Sequence, residues 1–261
     1  MKIIAIVNQK GGAGKTTTAV CLAGALVERE RRVLLIDLDP QASASRWLDV
    51  NENGRALLET LLDDGDMMPL VSQTTSGIDL IPCGVQFAGF ERVSVGEPGA
   101  EMFLRQAVER FRDDAWDFVF IDCPPSLSLT SVSALVAAQF MLVPVEAKIM
   151  SLDPLVRLFQ TSDGVRKRLN HDLALSGIVV CQADLRTNHA RDVINSLRKR
   201  FEGDVFDIVI RENTLVAEAV GFRKPITMYD PKSVGASDYR QLAEEFEYRV
   251  GQSTQRKEVN V

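Results

Sequence analysis

The chain has 261 residues, 46% hydrophobic and 25% charged, with a net charge of −6; these are ordinary globular proportions and exclude disordered, collagen-like and disulfide-scaffold classes. At roughly 100–200 residues per domain, the length admits one large domain or two small ones. No apolar run reaches the roughly 18–20 residues of a membrane span, and the N-terminal stretch turns polar at Asn8, too early for a signal peptide, so a cytoplasmic protein is expected.

Short apolar runs bounded by breakers predict strands at residues 2–7, 33–36, 118–121, 140–145, 175–180 and 206–210, with a weaker, alternating candidate for a sheet edge at 78–82. Runs without alternation fit strands covered on both faces, as in a parallel sheet. Helical spacing predicts helices at 16–28, 101–111, 126–138, 154–169, 191–201, 214–220 and 235–250. Strand–helix alternation along the whole chain implies one doubly wound, mostly parallel α/β domain over residues 1–250, with 251–261 as a flexible tail. Cys21, Cys83, Cys123 and Cys181 show no paired spacing and have only His171 and His189 as company, which argues for buried thiols over a zinc site.

The first strand ends in Asn8-Gln9-Lys10-Gly11-Gly12-Ala13-Gly14-Lys15-Thr16-Thr17, followed directly by a helix apolar nearly all round. Phosphate binding needs glycines where backbone N–H groups wrap oxygens, a lysine for the β- and γ-phosphates, a hydroxyl for magnesium, and a helix N-terminus beneath. All are present. The pattern departs from the general G-x-x-x-x-G-K-[ST] form: Gln9 stands at the first glycine position, and a second lysine, Lys10, opens the loop. With Lys15 on the loop's own phosphates, Lys10 is placed to reach a nucleotide on another subunit.

Asp37, Asp39 and Asp122 each end an apolar strand, on the carboxyl edge where open α/β sheets bind ligands. Buried carboxylates there need compensation, which Mg2+ beside Thr16 would supply.

The loop resembles the deviant P-loop of the ParA/MinD ATPases. Leu35-Ile36-Asp37-Leu38-Asp39-Pro40-Gln41 and residues 118–126, ending in Asp122-Cys123-Pro124-Pro125-Ser126, resemble that family's two switch regions. Lys224-Pro225-Ile226, Tyr229-Asp230-Pro231-Lys232-Ser233 and Gly235-Ala236 resemble the C-terminal signature of ParA-type (Soj-like) partition proteins. The resemblance implies an ATP hydrolase with slow intrinsic turnover, using ATP and Mg2+ and working as an ATP-bound homodimer with a ParB-like or other cargo adaptor. By resemblance, Asp39 positions the attacking water, Asp37 and Asp122 support the metal, and Lys10 completes the partner subunit's site. Asn213, with Arg211 where proline is common, stands at the adenine-contacting stretch.

Residues 186–200 carry a local charge of +4 (Arg186, Arg191, Arg198, Lys199 and Arg200 against Asp192), and 223–240 carry +2 (Arg223, Lys224, Lys232 and Arg240 against Asp230 and Asp238). Basic groups gathered in one part of an acidic protein are a footprint for phosphate-backbone binding. The stretch Asp184-Leu185-Arg186-Thr187-Asn188 also resembles the one carrying a DNA-contacting arginine in ParA-type proteins. No recognition helix is evident, so binding to double-stranded DNA is expected to be nonspecific, salt-sensitive and nucleoid-associated. The C-terminal residues lack the apolar face of a membrane-binding helix, so no membrane partner is expected. The rival reading is a small-molecule ligase or synthetase on the same scaffold.

Overall fold

Burial along β1 (Lys2–Ile6) alternates between two apolar layers, with Ile3 and Ala5 in one and Ile4 and Ile6 in the other. A strand covered on both faces in this way belongs in the middle of a sheet. The computed structural model describes residues 1–148 and 153–258. After β1 come α1 (Lys15–Glu28), β2 (Val33–Asp37), α2 (Ser43–Trp47), α3 (Gly54–Leu62), β3 (Ser72–Gln73), β4 (Asp79–Ile81), α4 (Gly89–Val93), α5 (Phe103–Glu109) and β5 (Phe118–Asp122). The second half runs α6 (Leu129–Ala137), β6 (Phe140–Glu146), α7 (Asp153–Arg168), β7 (Ala174–Ala183), α8 (Asn188–Arg200), β8 (Val205–Arg211), α9 (Thr214–Gly221), α10 (Ile226–Tyr229) and α11 (Val234–Glu258).

The sheet order is β3-β4-β2-β5-β1-β6-β7-β8, parallel throughout except for β3. The chain winds outward from β1 in both directions, which opens a crevice at the carboxyl ends of β1, β5 and β6. One layer of core side chains comes from α3, α5, α6, α7 and α8, the other from α1, α2, α9, α10 and α11. All six main strands expected from the sequence are present, and register places Asp37 opposite Asp122, and Ile6 opposite Asp122, at one edge.

Three features differ from the sequence expectations. The run at 78–82 is not an edge: β4 lies between β2 and β3, and the edge on that side is β3, which at two residues is too short to give a periodic signal. The helices α2, α3, α4 and α10 were not expected; α2, α4 and α10 have only four or five residues each. The last helix continues to Glu258, past residue 250 where it was expected to end and into the stretch 251–261 expected as a tail; 259–261 lie outside the described residues.

Edge strand β8 is closed by side chains. Glu245 accepts from the backbone N–H groups of Asp207 and Ile208, Asp238 accepts from that of Arg211, and Arg198 donates to the Asp207 carbonyl. Satisfied edge groups cannot template pairing with another chain.

Helix α1 lies directly against the start of α10, and Gly24 makes this approach possible. A Cβ there would stand 2.5 Å from Pro225 Cβ and 2.7 Å from its Cγ. Although alanine is the better helix former, Gly24→Ala is expected to cost about 1–3 kcal/mol by overpacking. For a chain of this length that lowers Tm by about 2–4 °C per kcal/mol, measurable by thermal denaturation; an unchanged or raised Tm would show that the α1–α10 contact yields freely.

Candidate functional site

The loop between β1 and α1 is shaped by two glycines in left-handed backbone, Gly12 at φ 76° and Gly14 at φ 89°. Residues with a Cβ rarely adopt that conformation. Gly14 is also the N-cap of α1, where no side chain caps the helix and the first turn carries no acid. The opening N–H groups of a helix without a side-chain cap are donors suited to phosphate oxygens. Gly11, Gly12, Gly14, Lys15, Thr16 and Thr17 line a cavity of about 240 Å3, joined there by Asp39, Ser43, Pro125 and Gln182. Ala13 is buried behind it.

Lys15 is buried, and its Nζ donates back to the Lys10 carbonyl at 3.3 Å. Burial lowers its pKa below that of an ordinary lysine, opposed by the nearby charge of Asp122. Thr16 Oγ1 donates to Asp122 Oδ2 at 2.7 Å, while Asp122 Oδ1 is buried with no hydrogen-bond partner. Burial and the neighbouring Asp37 carboxylate raise the Asp122 pKa well above the usual carboxylate range. Among the described residues no three His, Cys, Asp or Glu side chains converge on one metal position. A cation here would rest on the Thr16 hydroxyl, the Asp122 side and phosphate oxygens. That donor set suits Mg2+, which takes few protein ligands and keeps its waters, and the orphaned oxygen fits its company.

Asp37, expected to support the metal, is buried beside Asp122 and bonded to the loop that follows it. Its Oδ2 accepts from the Ser45 backbone N–H and hydroxyl, and its Oδ1 accepts from the Asp39 N–H. Burial pushes its carboxyl up to about 6 even so. The group therefore braces the 37–45 loop. Asp39 lines the phosphate cavity, with Oδ1 accepting from the Gln41 N–H.

Lys10 reaches away from the loop. Its Nζ lies 2.5 Å from Glu146 Oε2 at the end of β6, and Lys148 shares the same carboxylate at 3.4 Å. Burial alone would raise the Glu146 pKa, but the two lysines outweigh it and hold the carboxyl below its ordinary value.

Beside the phosphate cavity lies a second one of about 540 Å3, between the ends of β7 and β8 and helix α9. Arg211 and Asn213 line it, as does Cys181. The guanidinium of Arg211 is turned to Asp238, whose side chain is buried and accepts from its Nε and Nη2. Asn213 Oδ1 caps α9 by accepting from the Leu215 N–H. A larger cavity, of about 760 Å3, sits at the opposite ends of β6 and β7 against Phe159 and Phe201 and contains none of the expected site residues.

The six basic candidates fall into two groups. Arg186, with its side chain 90% exposed and paired to Asp184, stands with Arg198 and Lys199 on and before α8. Arg223, Lys224 and Lys232 flank α10, and there Arg223 is paired to Asp49 while the Lys224 carbonyl accepts from Trp47 Nε1. Three of the six already have partners within the chain: Arg186 and Arg223 each meet a carboxylate, and Arg198 bonds a strand edge. The four cysteines are free and buried, and burial pushes the Cys21 and Cys181 thiols up to about 12.

Sequence reasoning missed four residues that build this site. Asn8 holds the loop to β6, its Nδ2 donating to the Pro144 carbonyl and its Oδ1 accepting from the Lys10 N–H. Ser45, Glu146 and Gln182 hold Asp37, Lys10 and the Gly12 carbonyl respectively. Asn8 and Glu146 were findable, since each is the polar residue at which an apolar strand stops, as are Asp37 and Asp122.

The chain matches the AAA domain family over residues 1–175. It is 41% identical to the chromosome-partitioning ATPase Soj of Thermus thermophilus, covering 95% of this chain and 96% of that one. It is 36% identical to the chromosome partitioning protein ParA of Myxococcus xanthus, covering 99% and 92% respectively. Among solved structures, cobyrinic acid a,c-diamide synthase from Mycobacterium smegmatis, with ADP and magnesium bound, superposes with a TM-score of 0.82 at 32% identity, covering 94% of this chain and 93% of that one. The phosphate loop with its second lysine, the acidic strand ends and these near-full-length matches agree: the chain belongs to the ParA/MinD family of P-loop ATPases, beside the Soj and ParA partitioning proteins.

Proposed function

We propose that this ATPase is an ATP-gated dimeric switch that positions cargo, such as a chromosome, a plasmid or a large protein assembly, over nonspecific DNA with a ParB-like adaptor that stimulates hydrolysis. The observation that carries the reading is the pair of lysines in one phosphate loop. Lys15 folds over the loop while Lys10 points to the rim at Glu146. A lysine at the rim serves the nucleotide of a facing subunit better than its own.

In this reading the N–H groups of the loop and α1 hold the β- and γ-phosphates of ATP, with Lys15 against them. Asp39 orients the attacking water for in-line displacement. Thr16 and Asp122 hold Mg2+, whose charge offsets that of the phosphates. Lys10 leaves Glu146 and adds positive charge from the partner subunit. Arg186 and the basic end of α8 form the core of the DNA surface, and dimerisation doubles their number.

The similarity to the cobyrinic acid synthase favours a second reading, a synthetase acting on a small-molecule acceptor. Fluorescence anisotropy of a random-sequence duplex separates the two. Salt-sensitive binding with ATP–Mg2+, and much weaker binding with ADP–Mg2+ or no nucleotide, is expected; no binding in any state would favour the synthetase. Each phosphate contact adds about 0.9 to the slope of log K against log salt. Arg186→Ala should therefore weaken binding and reduce that slope by about 2 per dimer, and unchanged affinity would move the surface elsewhere.

Lys10→Ala should keep nucleotide binding yet lower stimulated hydrolysis by about 10³-fold, the lower range for a charged finger supplied in trans. Mixing it with Lys15→Ala should restore turnover, because the heterodimer contains one complete site. Mixtures as inactive as their components would place Lys10 in its own site.

Asp122 also links pH to stability. Its folded pKa is raised, so the stability it contributes is present at low pH and lost as pH rises through that raised value. Asp122→Asn should thus melt higher than the wild type at pH 8 without nucleotide, with the gap closing towards pH 5. The same variant should lose the added stabilisation by Mg2+ with ATP. A lower Tm at pH 8 would refute the assignment of a buried, destabilising charge.

A further inference from the structure

The phosphate cavity and the neighbouring cavity share three lining residues: Gly14, Thr17 and Gln182. In a nucleotide laid from one cavity into the other, the part crossing their junction is the sugar. Gln182 contributes the longest polar side chain of the three.

Its conformation is held on both sides. The backbone is left-handed at φ 55°, a region that glutamine seldom occupies and that costs free energy unless its surroundings impose it. The residue stands near the end of β7, where the register with β8 shifts between Val180 and Ala183. Its Nε2 donates to the Gly12 carbonyl at 2.9 Å, so the amide is pinned to the phosphate loop itself. An amide has two N–H donors and an acceptor oxygen, so one N–H and Oε1 remain for a ligand.

We infer that Gln182 is the sugar-binding residue of this site, hydrogen-bonding a ribose hydroxyl of the bound nucleotide through the part of its amide that Gly12 does not use. This rests on the ATPase reading above and adds a determinant of the nucleotide's sugar. Of the two polar side chains at the junction, Thr17 is the shorter, whereas Gln182 reaches furthest and is the one already held against the loop, while Arg211 bonds Asp238 and Asn213 Oδ1 caps α9 deeper in the neighbouring cavity. The contact would also couple sugar occupancy to the shape of the loop, because a single amide group touches both.

The test is the affinity of the full chain with Mg2+ for ADP, 2′-deoxyADP and 3′-deoxyADP, by calorimetry, in the wild type and in Gln182→Gly. Glycine suits the left-handed backbone, so this variant removes the side chain without adding strain, and a melting curve checks its fold. Gln182→Asn, which tolerates the same backbone but is one methylene shorter, serves as a second variant. The wild type should prefer ADP over one of the deoxy analogues by roughly 3–10-fold, the worth of one neutral hydrogen bond. Both variants should bind all three diphosphates with nearly equal affinity. A wild type indifferent to both hydroxyls overturns the inference, as does a preference that survives in the variants, including one that survives a uniform loss of affinity. Failure of the wild type to bind ADP at all would instead overturn the nucleotide-binding reading.

Discussion

Asp122 is a charge-bearing group placed where water cannot reach it, and much of the site is arranged around that fact. It ends β5 beside the central strand, opposite Asp37, with one oxygen on Thr16 and the other without a partner. A buried carboxylate with an unsatisfied oxygen is costly, and a second buried carboxylate beside it adds to the cost. The protein offsets part of this with Lys15, itself buried and held below its ordinary pKa. Two acids and one base in a dry crevice leave a deficit of positive charge, which is the condition for recruiting a divalent cation along with phosphates.

The left-handed glycines, the helix without a side-chain cap and the tethering of Asn8 follow from the same requirement. Phosphates bring more negative charge into a crevice that already holds Asp122, so N–H donors must outnumber acceptors there. Capping α1 with an acidic or hydroxyl side chain would occupy those donors in the resting state. The loop therefore keeps its donors open and takes its rigidity from outside. Asn8 ties it to β6, and Gln182 ties it to β7. The scaffold supplies stiffness so that the loop can leave its polar groups unspent.

Much of this was legible in the sequence, and the division is physical. The six principal strands showed because each is a short apolar run, and all but the edge strand β8 are largely buried on both faces. The phosphate loop and Asp39, Asp37 and Asp122 showed because polar residues that stop such runs must lie on one edge of a parallel sheet. What the sequence did not disclose is partnership. Asp37 carries the same signature as Asp122, yet Ser45, eight positions on, turns it inward and makes it a brace for the loop. Arg211 looked available beside a cavity until α11 brought Asp238 to it. Arg198 and Arg223 counted as surface charge, but one closes the edge of β8 and the other meets a carboxylate from the loop after α2. Short elements such as β3 and α10 have too few residues for a period to emerge, and tertiary contacts alone fix them.

The ion pairs around Lys10 extend this logic to the switch itself. Lys10 and Lys148 share Glu146, and Lys148 stands 3.9 Å from Glu212 at the mouth of the neighbouring cavity. Lys10, Lys148 and Glu212 are each about half exposed, although Glu146 is largely buried, and pairs made by a solvated lysine are worth little, about 1 kcal/mol. Weakness is what the proposed mechanism needs here. A lysine locked by a strong buried pair could not be released by the modest free energy of forming a dimer, whereas one left unpaired would be free to fold onto its own phosphates. In the proposed switch Glu146 would keep Lys10 out of its own site at small cost, and on the departure of Lys10 the carboxylate would still have Lys148 beside it. The exchange then leaves no charge stranded, so the energy of closing the dimer can go to the nucleotide.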